Sequence, residues 1–282
     1  MNNITETLIN IALKEDGVLN DITTKHFVPK DKKASAVLII NKPGILCGID
    51  IFIKVFKMID KKCKVSLKKK DGSLVKSGDE VLHIEGPAWT ILSGERTALN
   101  FLQYMSGIAT MTNQIVSSVN NNKAKIYDTR KTTPCYRELA KYAVKCGGGA
   151  NHRMGLQDMV LIKDNHLKLI KNLAYEIAKF RKKHKNILIE IECENKNEVK
   201  QALNVKSDVI MLDNMSLENM KKMIKFIRKS STKEYKPEIE ISGGLTPKTA
   251  KVFSKLDVDR ISIGMITHSS VALDISLEIT IK

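Results

Sequence analysis

Arginine, aromatic residues and paired cysteines are all scarce in this 282-residue chain, and the last two weigh against particular classes of function. Aromatic residues make up only 5 %, with a single Trp, so binding of single-stranded nucleic acid by stacking is poorly supported. The five cysteines, Cys47, Cys63, Cys135, Cys146 and Cys193, are odd in number and form no C-x-x-C pair. That argues against a disulfide framework and a zinc site, and suits a reducing cytoplasm. No stretch approaches the 18 apolar residues of a membrane span, and MNNITETLINIALKEDG lacks the basic region and apolar core of a signal peptide. The expectation is a soluble cytoplasmic protein. Neither G-x-x-x-x-G-K-[ST] nor G-x-G-x-x-G after a strand occurs, which disfavours the common nucleotide-binding folds.

What is abundant is lysine. The net charge is +16, which favours nucleic acid, a membrane surface or acidic small molecules, and composition leaves all three open. The arginines narrow the choice. Only seven of the 47 basic residues are Arg, and four of them (Arg96, Arg130, Arg137, Arg153) fall between positions 96 and 153. A guanidinium fork grips carboxylate or phosphate at two points, whereas lysine is a solvated point charge. The clustering points to an anion site rather than a diffuse basic coat.

Residues 4–14 read as an amphipathic helix. Between 34 and 86, ASAVLII, KCKVSLKK and EVLHIEG are short strand-like runs separated by turn signals, with IDIFIKVFKMI at helical spacing between the first two. This predicts a small α+β domain with an antiparallel sheet. Residues 86–119 read as two long helices broken near Ser106-Gly107. Beyond 120, apolar strands are predicted to start near 125, 159, 187, 208, 238 and 259, with helical segments in most gaps. Strand, helix, strand at this spacing means βαβ units and a parallel sheet.

A barrel or largely closed parallel sheet brings its strand ends to one rim. Here those ends are DTRK (128–131), IKDNH (162–166), EIECEN (190–195), LDN (212–214), SGG (242–244) and SIG (262–264). Arg130, Lys131, His152, Arg153 and Lys163 would converge there and suit a substrate with several carboxylates or phosphates, unless each pairs with an acid such as Asp128 or Asp164. Glu190, Glu192 and Glu194 share one strand face by the period of two, so they need Mg²⁺, a cationic intermediate, or the basic residues opposite. Asp213 ends the next strand. Ser242-Gly243-Gly244 and Ser262-Ile263-Gly264 offer bare backbone amides for a phosphate.

At these residues the sequence resembles a known family. DTRKTTPCYRELAKYAVKCGGGANHRMGLQDMVLIKDNH (128–166), NDITT (20–24), GILCGID (44–50), the run from 77 to 112, EISGGLT (240–246) and SIGMITHSS (262–270) are similar to the carboxylating nicotinate-nucleotide pyrophosphorylases, or quinolinate phosphoribosyltransferases. Cys135 stands where that family usually has Gly. The resemblance implies an incomplete α/β barrel plus an N-terminal α+β sandwich domain, divided as 1–106, 107–267 and a C-terminal segment 268–282 packing back on the first. It implies formation of nicotinate mononucleotide from quinolinate and phosphoribosyl pyrophosphate, with Mg²⁺, in a homodimer, and with no nucleic acid or membrane partner. By position, Arg96 would come from the partner subunit. Arg130, His152, Arg153 and Lys163 would hold quinolinate; Lys131, Glu192 and Asp213 would lie near ribose and pyrophosphate, with Glu192 and Asp213 the candidate Mg²⁺ ligands. Lys131, Lys163, Glu192 and Asp213 are the catalytic candidates. Ser242, Gly243, Gly244, Ser262, Gly264 and His268 would form the 5′-phosphate site. A same-fold enzyme acting on another acidic ring, and a basic nucleic-acid-binding protein, remain as alternatives.

Overall fold

The computed structural model describes residues 3–119 and 123–280, which divide into two compact units. Elements are numbered along the chain. The first unit takes in residues 3–113, 133–148 and 269–280. It begins with α1 (Asn3–Glu15) and α2 (Ile22–Phe27), the latter capped by Asp21, which accepts the Thr24 N–H at 2.9 Å. There follow β1 (Lys33–Ile40), β2 (Gly44–Ile45), α3 (Ile49–Ile59), β3 (Lys64–Leu67), β4 (Leu74–Val75) and β5 (Glu80–Pro87). The chain then enters α4 (Ala88–Ser118) and returns to this unit as α5 (Arg137–Cys146) and the last strand, β12 (Ile275–Thr280). The sheet is antiparallel, in the order β12-β1-β5-β3. Phe52, Val55 and Phe56 line one side of α3 at helical spacing and are fully buried, as are Leu38, Ile40, Leu82 and Ile84 from the strands.

Two features of this unit depart from the sequence reading. Helix α4 runs unbroken through Ser106-Gly107. The Ser106 hydroxyl is engaged sideways: it accepts the Cys47 N–H at 2.9 Å and donates to the Cys47 carbonyl at 3.1 Å. Gly107 is small because a Cβ there would collide with the Val271 carbonyl. The pair serves close chain approach, not a helix break. Residues 133–148, expected in the barrel domain, belong to the first unit. The end of α5 packs on α4 there, since a Cβ at Gly147 would strike Ala109 and Thr112.

The second unit, 114–119, 123–132 and 149–268, holds six parallel strands. They are β6 (Lys125–Tyr127), β7 (Val160–Ile162), β8 (Ile189–Cys193), β9 (Val209–Asp213), β10 (Glu238–Ser242) and β11 (Arg260–Ser262), close to every predicted start. The order β6-β11-β10-β9-β8-β7 leaves β6 and β7 as the two edges, so the barrel is incomplete. Helices α6 (Asp164–Leu169) and α7 (Leu173–Lys183) follow β7; α8 (Lys196–Asn204), α9 (Leu217–Ser230), α10 (Pro247–Phe253) and α11 (Met265–His268) follow the remaining strands in turn. Asn195, Ser216 and Thr246 cap the helices after β8, β9 and β10 through their side-chain oxygens. In β8 and β10 glutamates alternate with buried isoleucines, and the parallel register sets both Glu192 and Glu240 beside Met211, and Ser242 beside Asp213. Glu194 is exposed and lies past the end of β8, so only Glu190 and Glu192 of the expected three are buried. Among the described residues no helix is long and apolar enough to cross a membrane.

Candidate active site

The strand ends of the second unit surround a cavity of about 460 Å³. Eleven of the sequence-predicted residues line it: Arg130, Lys131, His152, Arg153, Lys163, Glu192, Asp213, Ser242, Gly243, Gly244 and Ser262. Each comes from the carboxyl end of a strand or from the segment after Gly149, as a parallel barrel requires.

Its basic wall is built by short, heavily bonded segments. Asp128, completely buried after β6, accepts the His152 N–H at 2.9 Å and the Asn151 amide at 2.6 Å. Ala150 forms a parallel bridge with Tyr127, so 150–153 lie beside β6 in the manner of a strand. Arg153 is anchored through Nη1 to the Met159 carbonyl at 3.2 Å. Burial, together with the neighbouring Arg130 guanidinium, holds its pKa below the ordinary arginine value. Two guanidiniums brought close enough to repel are an arrangement that an anion relieves. Lys163 Nζ sits 2.9 Å from Glu192 Oε2, and its backbone N–H donates to His166 Nδ1 at 2.9 Å. Lys131 is held by its carbonyl, which accepts the Thr267 hydroxyl at 2.7 Å.

Beneath this wall lies a buried cluster of His152, Glu190 and Glu240. His152 Nδ1 accepts the Arg153 N–H at 2.8 Å, which places the ring proton on Nε2. Nε2 faces Glu190 at 3.0 Å and Glu240 at 3.5 Å, and the Ser262 hydroxyl donates to Glu240. Burial and the Glu240 charge push the Glu190 carboxyl up to about 7. Burial lowers the His152 pKa, but its hydrogen bonds to Glu190 and Glu240 and their charges outweigh that and raise the imidazole to about 9, so the buried cluster retains proton between ring and carboxylates near neutrality. Contacts at both ring nitrogens fix the orientation of the imidazole.

On the opposite side, Asp213 accepts the Asn214 amide at 2.6 Å. Asn214 itself is left-handed (φ 51°), as is Gly243 (φ 99°), where a Cβ would collide with the Asn214 side chain. This close approach is why glycine stands at 243. Gly264 and His268 do not line the cavity but flank it: a Cβ at Gly264 would lie 3.0 Å from Lys131 Cδ and 3.5 Å from the His268 ring. Arg96 belongs to the first unit, exposed on α4. Sequence reasoning gave no site role to Thr129, Leu161, Met211, Asn214 and Glu240, which also line the cavity. The period of two in EIEIS would have found Glu240; Thr267 lies within the SIGMITHSS motif, but its bond to the Lys131 carbonyl has no local signal.

Family profiles for the N-terminal and C-terminal domains of quinolinate phosphoribosyl transferase match residues 21–106 and 108–278. The chain is 41 % identical to a probable carboxylating nicotinate-nucleotide pyrophosphorylase of Methanocaldococcus jannaschii, over 96 % of each chain. It is 36 % identical to the Bacillus subtilis counterpart, over 98 % of this chain and 93 % of that one. Among solved structures, NadC from Streptococcus pyogenes superposes with a TM-score of 0.90 at 36 % identity, covering 98 % of this chain and 96 % of that one. The nicotinate-nucleotide pyrophosphorylase from Francisella tularensis gives 0.91 at 36 % identity, covering 99 % and 97 %. The chain belongs to the quinolinate phosphoribosyl transferase family.

Proposed function

We infer that this chain is a carboxylating nicotinate-nucleotide pyrophosphorylase: it converts quinolinate and phosphoribosyl pyrophosphate to nicotinate mononucleotide, pyrophosphate and CO₂ in NAD biosynthesis. The observation that carries this reading is one cavity joining a wall of Arg130, Arg153 and Lys163 to the acids Glu192 and Asp213 and the Ser242–Gly244 loop, in a chain of this family.

Quinolinate is a flat dicarboxylate, so the neighbouring Arg130 and Arg153 forks and the Lys163 ammonium suit its two acid groups. The fixed His152 ring shapes the wall between them. The ring nitrogen of quinolinate attacks C1 of the ribose, the N–C1 bond forms, and the C1–O bond to pyrophosphate breaks. Positive charge develops at C1, and Glu192 and Asp213 stabilise it. The nitrogen is then a pyridinium. The C2 carboxylate leaves as CO₂, its electron pair stays at C2 beside that positive nitrogen, and C2 takes up a proton. No covalent enzyme nucleophile is needed; orientation and electrostatics supply the catalysis. Lys131 and the Ser242–Gly244, Ser262–Gly264 and His268 region suit the phosphate-bearing side of the sugar.

Glu192 and Asp213, two oxygen donors at the ends of neighbouring strands that line the cavity, would hold Mg²⁺, which commonly takes one or two carboxylates and keeps waters and phosphate oxygens. When bound it neutralises charge on the departing pyrophosphate. The remaining pieces of the proposal are a homodimer in which the exposed Arg96 reaches the partner's cavity, and a cytoplasmic enzyme, in keeping with five free thiols. Ultraviolet detection of nicotinate mononucleotide formed from quinolinate, phosphoribosyl pyrophosphate and Mg²⁺ tests the reading; a protein that turns over other acidic rings but not quinolinate overturns it.

A further inference from the structure

A second cluster of reactive side chains lies outside the cavity, wholly within the first unit. Cys47 Sγ, Cys146 Sγ and a carboxylate oxygen of Asp71 are within 4.8 Å of one another. Cys47, just after β2, is fully buried; Cys146, the last residue of α5, is half-buried. Asp71 is already satisfied. The Gly48 and Ile49 N–H groups at the start of α3 donate to it at 3.0 Å, and the Tyr142 hydroxyl donates at 2.9 Å. A carboxylate with that many donors has little left for a metal ion, which leaves the two sulfurs to each other. The Ser106 hydroxyl grips both the N–H and the carbonyl of Cys47. One sulfur is therefore rigidly placed and shielded, and the other is within reach of solvent.

We propose that Cys47 and Cys146 form a peroxide-oxidisable dithiol that closes to a reversible disulfide, with Cys146 the attacking sulfur and Cys47 the resolving one. Chemistry and exposure assign the same order. The hydrogen bond from the Cys47 thiol holds Cys146 below the ordinary thiol range, and that bond together with burial pushes Cys47 well above it. Low-pKa, accessible sulfur beside a second thiol is the arrangement of redox-active cysteines.

The steps balance. The Cys146 thiolate attacks a hydroperoxide; an S–O bond forms, the O–O bond breaks, and the departing hydroxide takes a proton, leaving Cys146 as sulfenic acid. Cys47 then attacks that sulfur. The S–S bond forms, the S–O bond breaks, and the hydroxyl leaves as water with the Cys47 proton. For hydrogen peroxide the sum is two thiols oxidised by two electrons and one peroxide reduced to two waters. The disulfide ties the end of α5 to residue 47. From there only five residues, three of them glycine, lead to His152.

The test uses the whole protein carrying Cys135→Ser, because Cys135 is the one fully exposed thiol among the described residues. After hydrogen peroxide treatment, alkylation and non-reducing digestion, we expect a Cys47–Cys146 cross-linked peptide that dithiothreitol removes. Before oxidation, Cys146 should alkylate more than about tenfold faster than Cys47. Cys47→Ser should trap Cys146 as a dimedone-reactive sulfenic acid, and Cys146→Ser should leave Cys47 unlabelled. Recovery of both residues as thiols after peroxide overturns the proposal. So does stoichiometric zinc in the reduced protein, since a metal would hold both thiolates. Where a serine variant fails to fold, the cross-link map of the Cys135→Ser protein decides by itself.

Discussion

In the first unit the large side chains with no exposure are mostly apolar, Phe52, Phe56, Leu38 and Leu82 among them, with Lys141 on α5 the exception. In the second, strands β8 and β10 bury Glu190, Glu192 and Glu240 in alternation with Ile189, Ile191, Cys193, Ile239 and Ile241, and Asp128 and His152 are buried as well. Buried carboxylates cost free energy unless paired, whereas buried phenylalanine gains it. The antiparallel unit thus spends its interior on stability, and the parallel unit spends part of its interior on holding a charged site in register. Substitutions that discriminate between these two uses sharpen the contrast or break it.

The largest effect belongs to the apolar interior. Phe52→Ala removes a fully buried ring packed 5.1 Å from Phe56 and should destabilise the protein by about 4 kcal/mol. Urea unfolding measures it, and a cost under about 1 kcal/mol would mean that this core is not the support described. Next comes the basic wall. Arg130→Ala should raise the quinolinate KM about 100-fold, equivalent to about 2.7 kcal/mol, while leaving the urea midpoint nearly unchanged. Unchanged turnover at low quinolinate would show that the guanidinium does not touch the substrate.

The third prediction is one of pH. The folded-state pKa of Glu190 is raised from an ordinary 4.5 to about 7, so the native protein keeps this proton longer than the unfolded chain. The associated stability is complete below pH 4.5 and is lost as pH rises through 7. Glu190→Gln stays neutral throughout. Its stability relative to the parent should therefore climb by about 2 kcal/mol between pH 5 and pH 8. A difference that stays flat over this range would remove the buried proton from the picture. The smallest effect is at Cys135, where a non-glycine residue holds φ 62° on an exposed turn. Cys135→Gly relieves that strain but loosens the unfolded chain, and thermal unfolding should register a net gain of about 1 kcal/mol or less.

The parallel sheet was legible because its strands are apolar runs separated by helix-length intervals, and that spacing has few structural solutions. The site was legible for a related reason: ionisable residues immediately after buried strands have one place to go, the rim. What escaped depended on distant partners. Ser106-Gly107 reads as a helix break until Cys47 and Val271 are seen against it. Glu194 keeps the alternation of its strand, yet β8 has already ended at Cys193, and Asn195 is capping the next helix. Cys47 and Cys146 are nearly one hundred residues apart, and no local pattern announces that their sulfurs meet. Residues 133–148 follow a barrel strand in sequence but pack on α4, a choice made by Gly147 against Ala109.

Ala150 bridges the segment bearing His152 and Arg153 to the edge strand, and Asp128 binds its Asn151 and His152, yet with three glycines upstream it forms no strand ladder of its own. The open barrel of six staves carries this segment as a short splice along its β6 edge. A splice can be recut without rebuilding the cask: changes in its length or residues would reshape how the cavity reads an acidic ring while all six staves keep their pairing. Variation in substrate choice among proteins of this architecture should therefore concentrate between Gly147 and Met159 rather than in the strands.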